Sequence, residues 1–331
     1  MSSIHSAKTL KDIASQCGVS TSTVSRVLNN APGISSKTRA HVFDIVNKNN
    51  FSIQKRRRPL ARSQLAITIV IPEDTEIAVN PFFDISELIS AINSIFAKEH
   101  KQIEVVTFSA FRKLVAKSWF QTDGLMLAFG SIDAATKRNL KQCGIPYVFL
   151  NRTFEEENCI SCNNYKGIIR LGNYLRCKGK SNIGYLGYGL SPINTDRFRG
   201  YRTFRAETAH DIDQDLVCQV DSIEDVGLES ARFFLDRDCD AVMCFNDNFA
   251  IRFIGALQQL GKQVPDDISI TGFDNSPMRK LFTTQITTIS LSTYEMGFYA
   301  SRWLRDNILN RNSRRLHLEI EGELLEGQTV K

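Results

Sequence analysis

The sequence predicts an all-α head joined to a larger α/β body. Three observations predict it. Apolar residues in the first fifty positions recur with helical spacing, interrupted by a single-glycine turn. From residue 65 onward, short apolar runs alternate with amphipathic helical patterns. Charge divides the same way. Residues 1–64 hold five Lys and six Arg against Asp12 and Asp44, a net of +9, so with +5 for the whole chain the remainder carries −4. A basic piece on a mildly acidic body is the distribution of a phosphate-binding head. With 331 residues and 42% hydrophobic content, the chain can bury the core of one large or two medium domains.

In the head, Leu10, Ile13, Ala14 and Cys17 line one helix face. Thr9 with Asp12 forms a weak capping box, and Gly18 ends the helix in the left-handed region. Ser20 caps a second helix with an apolar stripe of Val24, Val27 and Leu28. Its other face carries Ser22, Ser25, Arg26 and Asn29. Small polar residues let a helix approach a groove closely, and arginine can grip a guanine edge with two hydrogen bonds. Pro32 and Gly33 mark a loop, after which Ser36 caps a third helix with Val42, Ile45 and Val46 inward. A three-helix bundle with solvated polar faces would show the same periodicity. The short turn and the +9 charge favour a DNA-binding helix-turn-helix.

In the body, strands are expected at Leu65–Ile71, Ile103–Phe108, Gly124–Phe129, Tyr147–Leu150, Asn182–Tyr188, Ala241–Phe245 and Ile268–Phe273. Helices are expected at Ile85–Ala97, Ala134–Cys143, Tyr165–Arg176, Ala250–Leu260 and Tyr294–Leu309. Continuous apolar strands suit parallel sheets buried on both faces. Such sheets bind ligands beyond their carboxyl ends. Asn151, Arg152, Asn246, Asp247 and Asp274 all fall at such ends. They either converge on a polar ligand or merely cap the helices that follow.

The run Thr9-Leu-Lys-Asp-Ile-Ala-Ser-Gln-Cys-Gly-Val-Ser-Thr-Ser-Thr-Val-Ser-Arg-Val-Leu-Asn29 resembles the helix-turn-helix of LacI/GalR-family transcription regulators, and Ser35-Ser-Lys-Thr-Arg39 resembles the start of that family's third helix. The resemblance implies that Thr21, Ser22 and Arg26 face base edges. It implies phosphate contacts for Thr9, Ser20, Thr23, Asn29, Ser35 and Thr38. It continues through Asn80-Pro-Phe-Phe83, Asn151-Arg152, Asp196-Arg-Phe-Arg-Gly-Tyr201, Asn246-Asp247, Gly272-Phe-Asp274, Thr287-Thr-Ile289 and Glu295-Met-Gly297. It implies an effector site drawing on Phe82, Phe83, Asn151, Arg152, Arg197, Asn246, Asp247 and Asp274. It also implies a two-lobed body like the type-I periplasmic binding proteins. The division would be a head at 1–50, a hinge at 51–64 and an effector-binding and dimerisation domain at 65–331. One lobe would take about 65–162 and 292–323, the other about 163–291 and 324–331.

Three features depart from the family pattern. The hinge, Phe51-Ser-Ile-Gln-Lys-Arg-Arg-Arg-Pro-Leu-Ala-Arg62, places Leu60 at the family's minor-groove wedge, but Pro59 precedes it. Interior proline costs a helix about 3 kcal/mol. Either a hinge helix begins at Pro59, or Arg56, Arg57 and Arg58 form an extended minor-groove arm, or they are a solvated linker. Next, Ser222 stands near the place where purine-binding relatives carry an aromatic platform, which favours a sugar or sugar derivative as effector. Finally, Phe111–Phe120 replaces a longer acidic helix, and Glu323–Lys331 lacks a heptad repeat, so no coiled-coil tetramer is expected.

Other chemistry is not expected. Cys159-Ile-Ser-Cys162 is a lone pair without a second pair or nearby His, so it reads as buried thiols rather than zinc, with a redox sensor the lesser alternative. The glycines at 184, 187 and 189 lack the full dinucleotide fingerprint. Neither a P-loop nor a nucleophile elbow occurs, so no enzyme activity and no cofactor are expected. No apolar run is long enough to span a membrane, and no leader is recognisable, so a cytoplasmic location is expected. The expected function is a homodimeric transcription regulator, a repressor, reading a pseudo-palindromic double-stranded operator under control of a small ligand. A corepressor- or partner-protein-dependent regulator is the alternative within the class. A sugar-binding transport protein is the alternative outside it, disfavoured by the basic head.

Overall fold

The computed structural model describes residues 9–28, 34–49, 64–73, 82–116, 122–189, 191–208, 216–310 and 314–331. The head has three helices, α1 (Leu10–Cys17), α2 (Thr21–Leu28) and α3 (Ser36–Lys48). The Thr9 hydroxyl accepts the Asp12 N–H at 3.2 Å, and the Asp12 carboxylate accepts the Thr9 N–H at 2.8 Å, so the capping box is complete. Gly18 ends α1 at φ +64°, its N–H turned back to the last carbonyls. Ser20 caps α2 through the Thr23 N–H at 3.0 Å. Ser35, not Ser36, caps α3, accepting the Thr38 N–H at 3.1 Å. Ser36 is already the first helical residue, one position too late to cap. Ile13, Cys17, Val24, Val27, Val42 and Val46 form the head core. Leu10, expected on the buried face, is 39% exposed and lies outside that core.

The body holds two parallel sheets. The first has order β11-β5-β4-β3-β1-β2, with β1 Leu65–Ile71, β2 Lys101–Thr107, β3 Gly124–Ala128, β4 Tyr147–Leu150, β5 Cys159–Cys162 and β11 His317–Ile320. The second has order β7-β6-β8-β9, with β6 Ile183–Tyr188, β7 Val217–Val220, β8 Ala241–Cys244 and β9 Ser269–Thr271. An antiparallel pair, β10 (Thr288–Ile289) and β12 (Leu324–Leu325), lies beside the β9 edge of the second sheet, bridged to it through Thr271 and Thr287. Alternate residues of β1 face opposite cores. Ile67, Ile69 and Ile71 meet α4 (Ile85–Ile95) and α12 (Thr293–Asn310) through Leu88, Ile92, Met296 and Ala300. Val70 meets the side carrying α5 (Phe108–Ala116) and α6 (Ala134–Gln142) through Phe108, Phe111 and Leu140. In the second sheet, Ile183, Tyr185 and Met243 pack towards α7 (Asn164–Cys177) and α8 (Pro192–Thr208). Leu186, Val242 and Ile270 pack towards α9 (Leu228–Leu235) and α10 (Asp247–Gln259). A short helix, α11 (Pro277–Leu281), follows β9.

The chain passes between the sheets three times: between β5 and α7, between β10 and α12, and between β11 and β12. The passages touch. The Ser290 N–H donates to the Glu323 carbonyl at 2.8 Å. A side chain at Gly322 would overlap the Ser290 carbonyl and Ile289, so only glycine fits there. Several expectations shift. The Cys-x-x-Cys run is strand β5, with Cys159 and Cys162 in different cores, so the two thiols point away from each other. The eight cysteines read from the sequence as reduced, buried thiols, yet Cys143 and Cys177 are exposed. α10 starts at Asp247 rather than Ala250.

Candidate functional site

On the head, α2 presents exposed Thr21, Ser22 and Arg26, with Ser25 half-buried. Val24, Val27 and Leu28 take the opposite, buried side. Hydroxyls gather at the helix entrances. Ser20 Oγ lies 2.7 Å from Ser22 Oγ and 2.9 Å from Thr23 Oγ1, and Ser35 Oγ lies 2.8 Å from Thr38 Oγ1. Exposed Thr9 caps α1. Both acids are engaged, Asp12 in its cap and Asp44 with Lys48 at 2.8 Å. The arrangement offers a groove-sized helix with one arginine and a rim of hydroxyl donors. Asn29 and the hinge residues Arg56, Arg57, Arg58, Pro59 and Leu60 lie outside the described residues.

In the body, an open cleft of about 230 Å³ lies between the N-terminal end of α4 and the chain running from β9 through the crossover into α12. Phe83, Asp84 and Glu87 line one side, and Asp274, Asn275 and Ser290 to Glu295 line the other. Phe83 belongs to an aromatic cluster, its ring centroid 5.1 Å from Phe82 and 4.2 Å from Phe129. Three lining residues, Asp274, Asn275 and Ser292, have positive φ without being glycine, with Asp274 at +98°. Such conformations persist where the surrounding structure holds them, and they cluster at ligand sites.

Asp274 anchors the polar side. Its carboxylate accepts Arg197 Nη2 at 2.6 Å, with both side chains buried. The Arg197 guanidinium also donates to Asn164 Oδ1 at 2.8 Å and to the Phe245 carbonyl at 2.5 Å. It stacks 3.8 Å from the Phe273 ring centroid and 4.9 Å from that of Phe245. Burial pushes the Asp274 carboxyl up, while Arg197 and a hydrogen bond from Asn246 hold it down. Arg197 is therefore fully engaged behind Asp274 and lines no part of the cleft.

The remaining expected residues divide. Asn246 caps α10 through the Phe249 N–H at 3.0 Å. Asp247 is wholly buried and lies outside the cleft lining. Asn151 is buried, accepting the Cys162 N–H at 3.4 Å, and Arg152 is half-buried and donates to the Asn151 carbonyl at 2.9 Å. Phe82 is not in the lining and packs on Phe83, which is, and on Phe129. Ser222 caps a short 3-10 turn after β7 and is absent from this lining. Of the residues expected at the effector site, Phe83 and Asp274 line this cleft. The lining stretch Ser290 to Glu295, just past the Thr287–Ile289 motif, was not among those expected. Among the described residues, no group of His, Cys, Asp and Glu is arranged to hold a metal ion, and no helix is long and apolar enough to cross a membrane.

A helix-turn-helix head on a two-lobed α/β body of the periplasmic-binding-protein type, with a cleft at its crossovers, defines a ligand-binding DNA-binding protein. Comparison with known proteins agrees. Residues 9–53 match the family model for bacterial regulatory proteins of the lacI family, and residues 173–330 match that for a periplasmic binding protein-like domain. The chain is 28% identical over 324 residues to the HTH-type transcriptional regulator DegA of Bacillus subtilis, covering 94% of each chain. It is 26% identical over 337 residues to the HTH-type transcriptional repressor PurR of Mannheimia succiniciproducens, covering 98% of each. Among solved structures, the transcriptional regulator CelR in complex with cellobiose superposes with a TM-score of 0.69 at 23% identity, over 98% of this chain and all of that one. A LacI-family regulator from Enterococcus faecium with bound ribose gives 0.67 at 21%, over 80% and 98%. The lac repressor dimer bound to operator gives 0.63 at 21%, over 97% and 98%. The chain belongs to the LacI family and is a DNA-binding transcription regulator with a ligand-binding body.

Proposed function

We propose that this regulator is a homodimeric repressor whose hold on a pseudo-palindromic operator is switched by a sugar or sugar derivative bound in the cleft. The observation that carries the reading is the cleft's make-up. Phe83 lies beside the carboxylates of Asp84 and Glu87 on the α4 side, and Asp274, Glu295, Tyr294 and a run of hydroxyls face them from the crossover side. Aromatic faces stack on the apolar face of a pyranose, and carboxylates accept from its hydroxyls. About 230 Å³ is at the small end of ligand sites and suits a molecule of monosaccharide size. The cellobiose and ribose bound to two structural neighbours accord with this reading. Thr21, Ser22 and Arg26 would read bases, and Thr9, Ser20, Thr23, Asn29, Ser35 and Thr38 would hold phosphates, with Arg57 and Leu60 serving the minor groove. The body from residue 65 supplies the dimer and the effector lobes, and the protein works in the cytoplasm without an enzymatic step.

The test is a thermal-shift screen of sugars, sugar phosphates and nucleobases on the full chain. Any hit is then titrated against operator binding, with duplex DNA selected by the protein itself. A sugar that raises the melting temperature and changes operator affinity is the expected result. A nucleobase that does so while every sugar fails would overturn the sugar reading. The sign of the affinity change separates induction from corepression.

A further inference from the structure

Asp247 follows the Asn246 cap of α10, yet helix capping does not require its carboxylate, because Asn246 already bonds Phe249 N–H. One oxygen accepts the Ser276 N–H at 2.7 Å and the other accepts the Thr288 hydroxyl at 2.6 Å. Its own N–H donates to the Phe273 carbonyl at 2.9 Å. A side chain at Gly272 would overlap the Asp247 carboxylate, so glycine there lets it reach across. Ser276 closes the loop that holds Asp274 and Asn275, and Thr288 begins the strand leading into the crossover. Backbone bonds join the same two segments: Asp274 N–H to the Ile289 carbonyl at 2.8 Å, and Leu291 N–H to the Asp274 carbonyl at 3.1 Å.

We propose that Asp247 is a positioning residue for the ligand response, fastening the Asp274–Ser276 loop of the cleft to the Thr288–Leu291 crossover so that the two shift as one. The inference rests on the cleft being the effector site. A ligand that pulls on Asp274 then moves the chain entering α12 without touching Asp247. The surroundings make this clasp sensitive to charge. Asp274 faces it from the loop, Cys244 from β8 and Arg279 from α11, while Thr288 of β10 is neutral. Burial first, then repulsion from Asp274, pushes the carboxyl up to about 7 against the hydrogen bonds of Thr288 and Ser276 and the pull of Arg279. A folded-state value above the ordinary one means that the stabilising contribution is present at lower pH and lost as pH rises through about 7.

Hydrogen exchange on the full, unliganded chain, corrected for intrinsic rates, tests the clasp at pH 6 and pH 8. Segments 273–276 and 287–291 are expected to lose protection together as pH rises. In Asp247→Asn that response disappears from both segments. Thr288→Val is expected to raise exchange about fivefold in 273–276, the scale of one lost hydrogen bond, although it alters no residue of that loop. Combining the two substitutions adds nothing further. Val242→Ala, a truncation in the core of the second sheet, lowers the melting temperature without selecting these segments. If Thr288→Val leaves 273–276 unchanged, or the pH response survives in Asp247→Asn, the clasp is wrong. No ligand enters the experiment, so its failure is distinct from a failure of the sugar reading.

Discussion

At the scale of single residues, Arg197 is a buried cation held by protein groups. The resemblance implies a ligand-clamping arginine. Here every bonded direction of the guanidinium points into protein, and Asp274 is what faces the cleft. Removing one partner of a buried pair strands the other, at a cost of about 3–5 kcal/mol. Arg197→Met should therefore destabilise the body by about that much. The loss should be deeper at pH 8 than at pH 5.5. Without the arginine, the Asp274 carboxyl rises further, and a carboxyl held above its ordinary range favours the folded state only while protonated. Chemical denaturation at the two pH values measures this. An equal loss at both would mean that Asp274 does not depend on Arg197 for its charge. Arg26 is the matching case in the head. Arg26→Lys should relax base preference by about 1–3 kcal/mol at one operator position, because lysine lacks the two-pronged donor. Thr9→Ala should weaken binding to all sequences alike. Competition between the selected duplex and its point variants separates the two outcomes.

At the scale of elements, local chemistry was legible and long-range pairing was not. Thr9, Gly18 and Ser20 fix the ends of the head helices within a few residues of sequence, so their roles could be read directly. Gly18→Ala should cost the head about 1 kcal/mol, since alanine resists the left-handed turn. Far-ultraviolet melting of the head transition checks it. By contrast β5, β10, β11 and β12 are two to four residues long, and each is a strand only because of a partner elsewhere. His317 pairs with Cys159 across more than one hundred and fifty positions, which no local pattern records. The cleft was half legible for the same reason. Asp274 ends an apolar run and could be found, whereas Tyr294 and Glu295 line the cleft because the packing of α12 on α4 brings its first turn there. The α10 start was misplaced because Asn246-Asp247 read as pocket residues rather than as a cap and a clasp.

At the scale of the whole molecule, regulation requires the body to speak to the head through residues 51–64. Pro59 sits where the family's hinge would be helical. Pro59→Ala should change operator affinity by up to about a hundredfold if the hinge orders on DNA, given the roughly 3 kcal/mol that interior proline costs a helix. Binding to the selected duplex across a salt series measures both affinity and phosphate contacts. Identical affinity and salt slope would show that the hinge does not fold on the operator. The cleft clasp and the hinge then form two ends of one linkage, and the effector's differential affinity for the two body states sets how far it can be driven.

The three touching passages between the sheets have a consequence for the birth of the protein. Leu88 and Ile92 of α4 are covered by Met296 and Ala300, and the edge of the first sheet is finished by His317–Ile320. A ribosome that has delivered residues 1–291 has made every strand of the second sheet, yet the first sheet still lacks its last strand and a covering helix. The head can close while the chain is growing. The first lobe cannot close until translation is nearly over, so its apolar face is open to chaperones for most of synthesis, and truncation near the C-terminus harms the lobe made first.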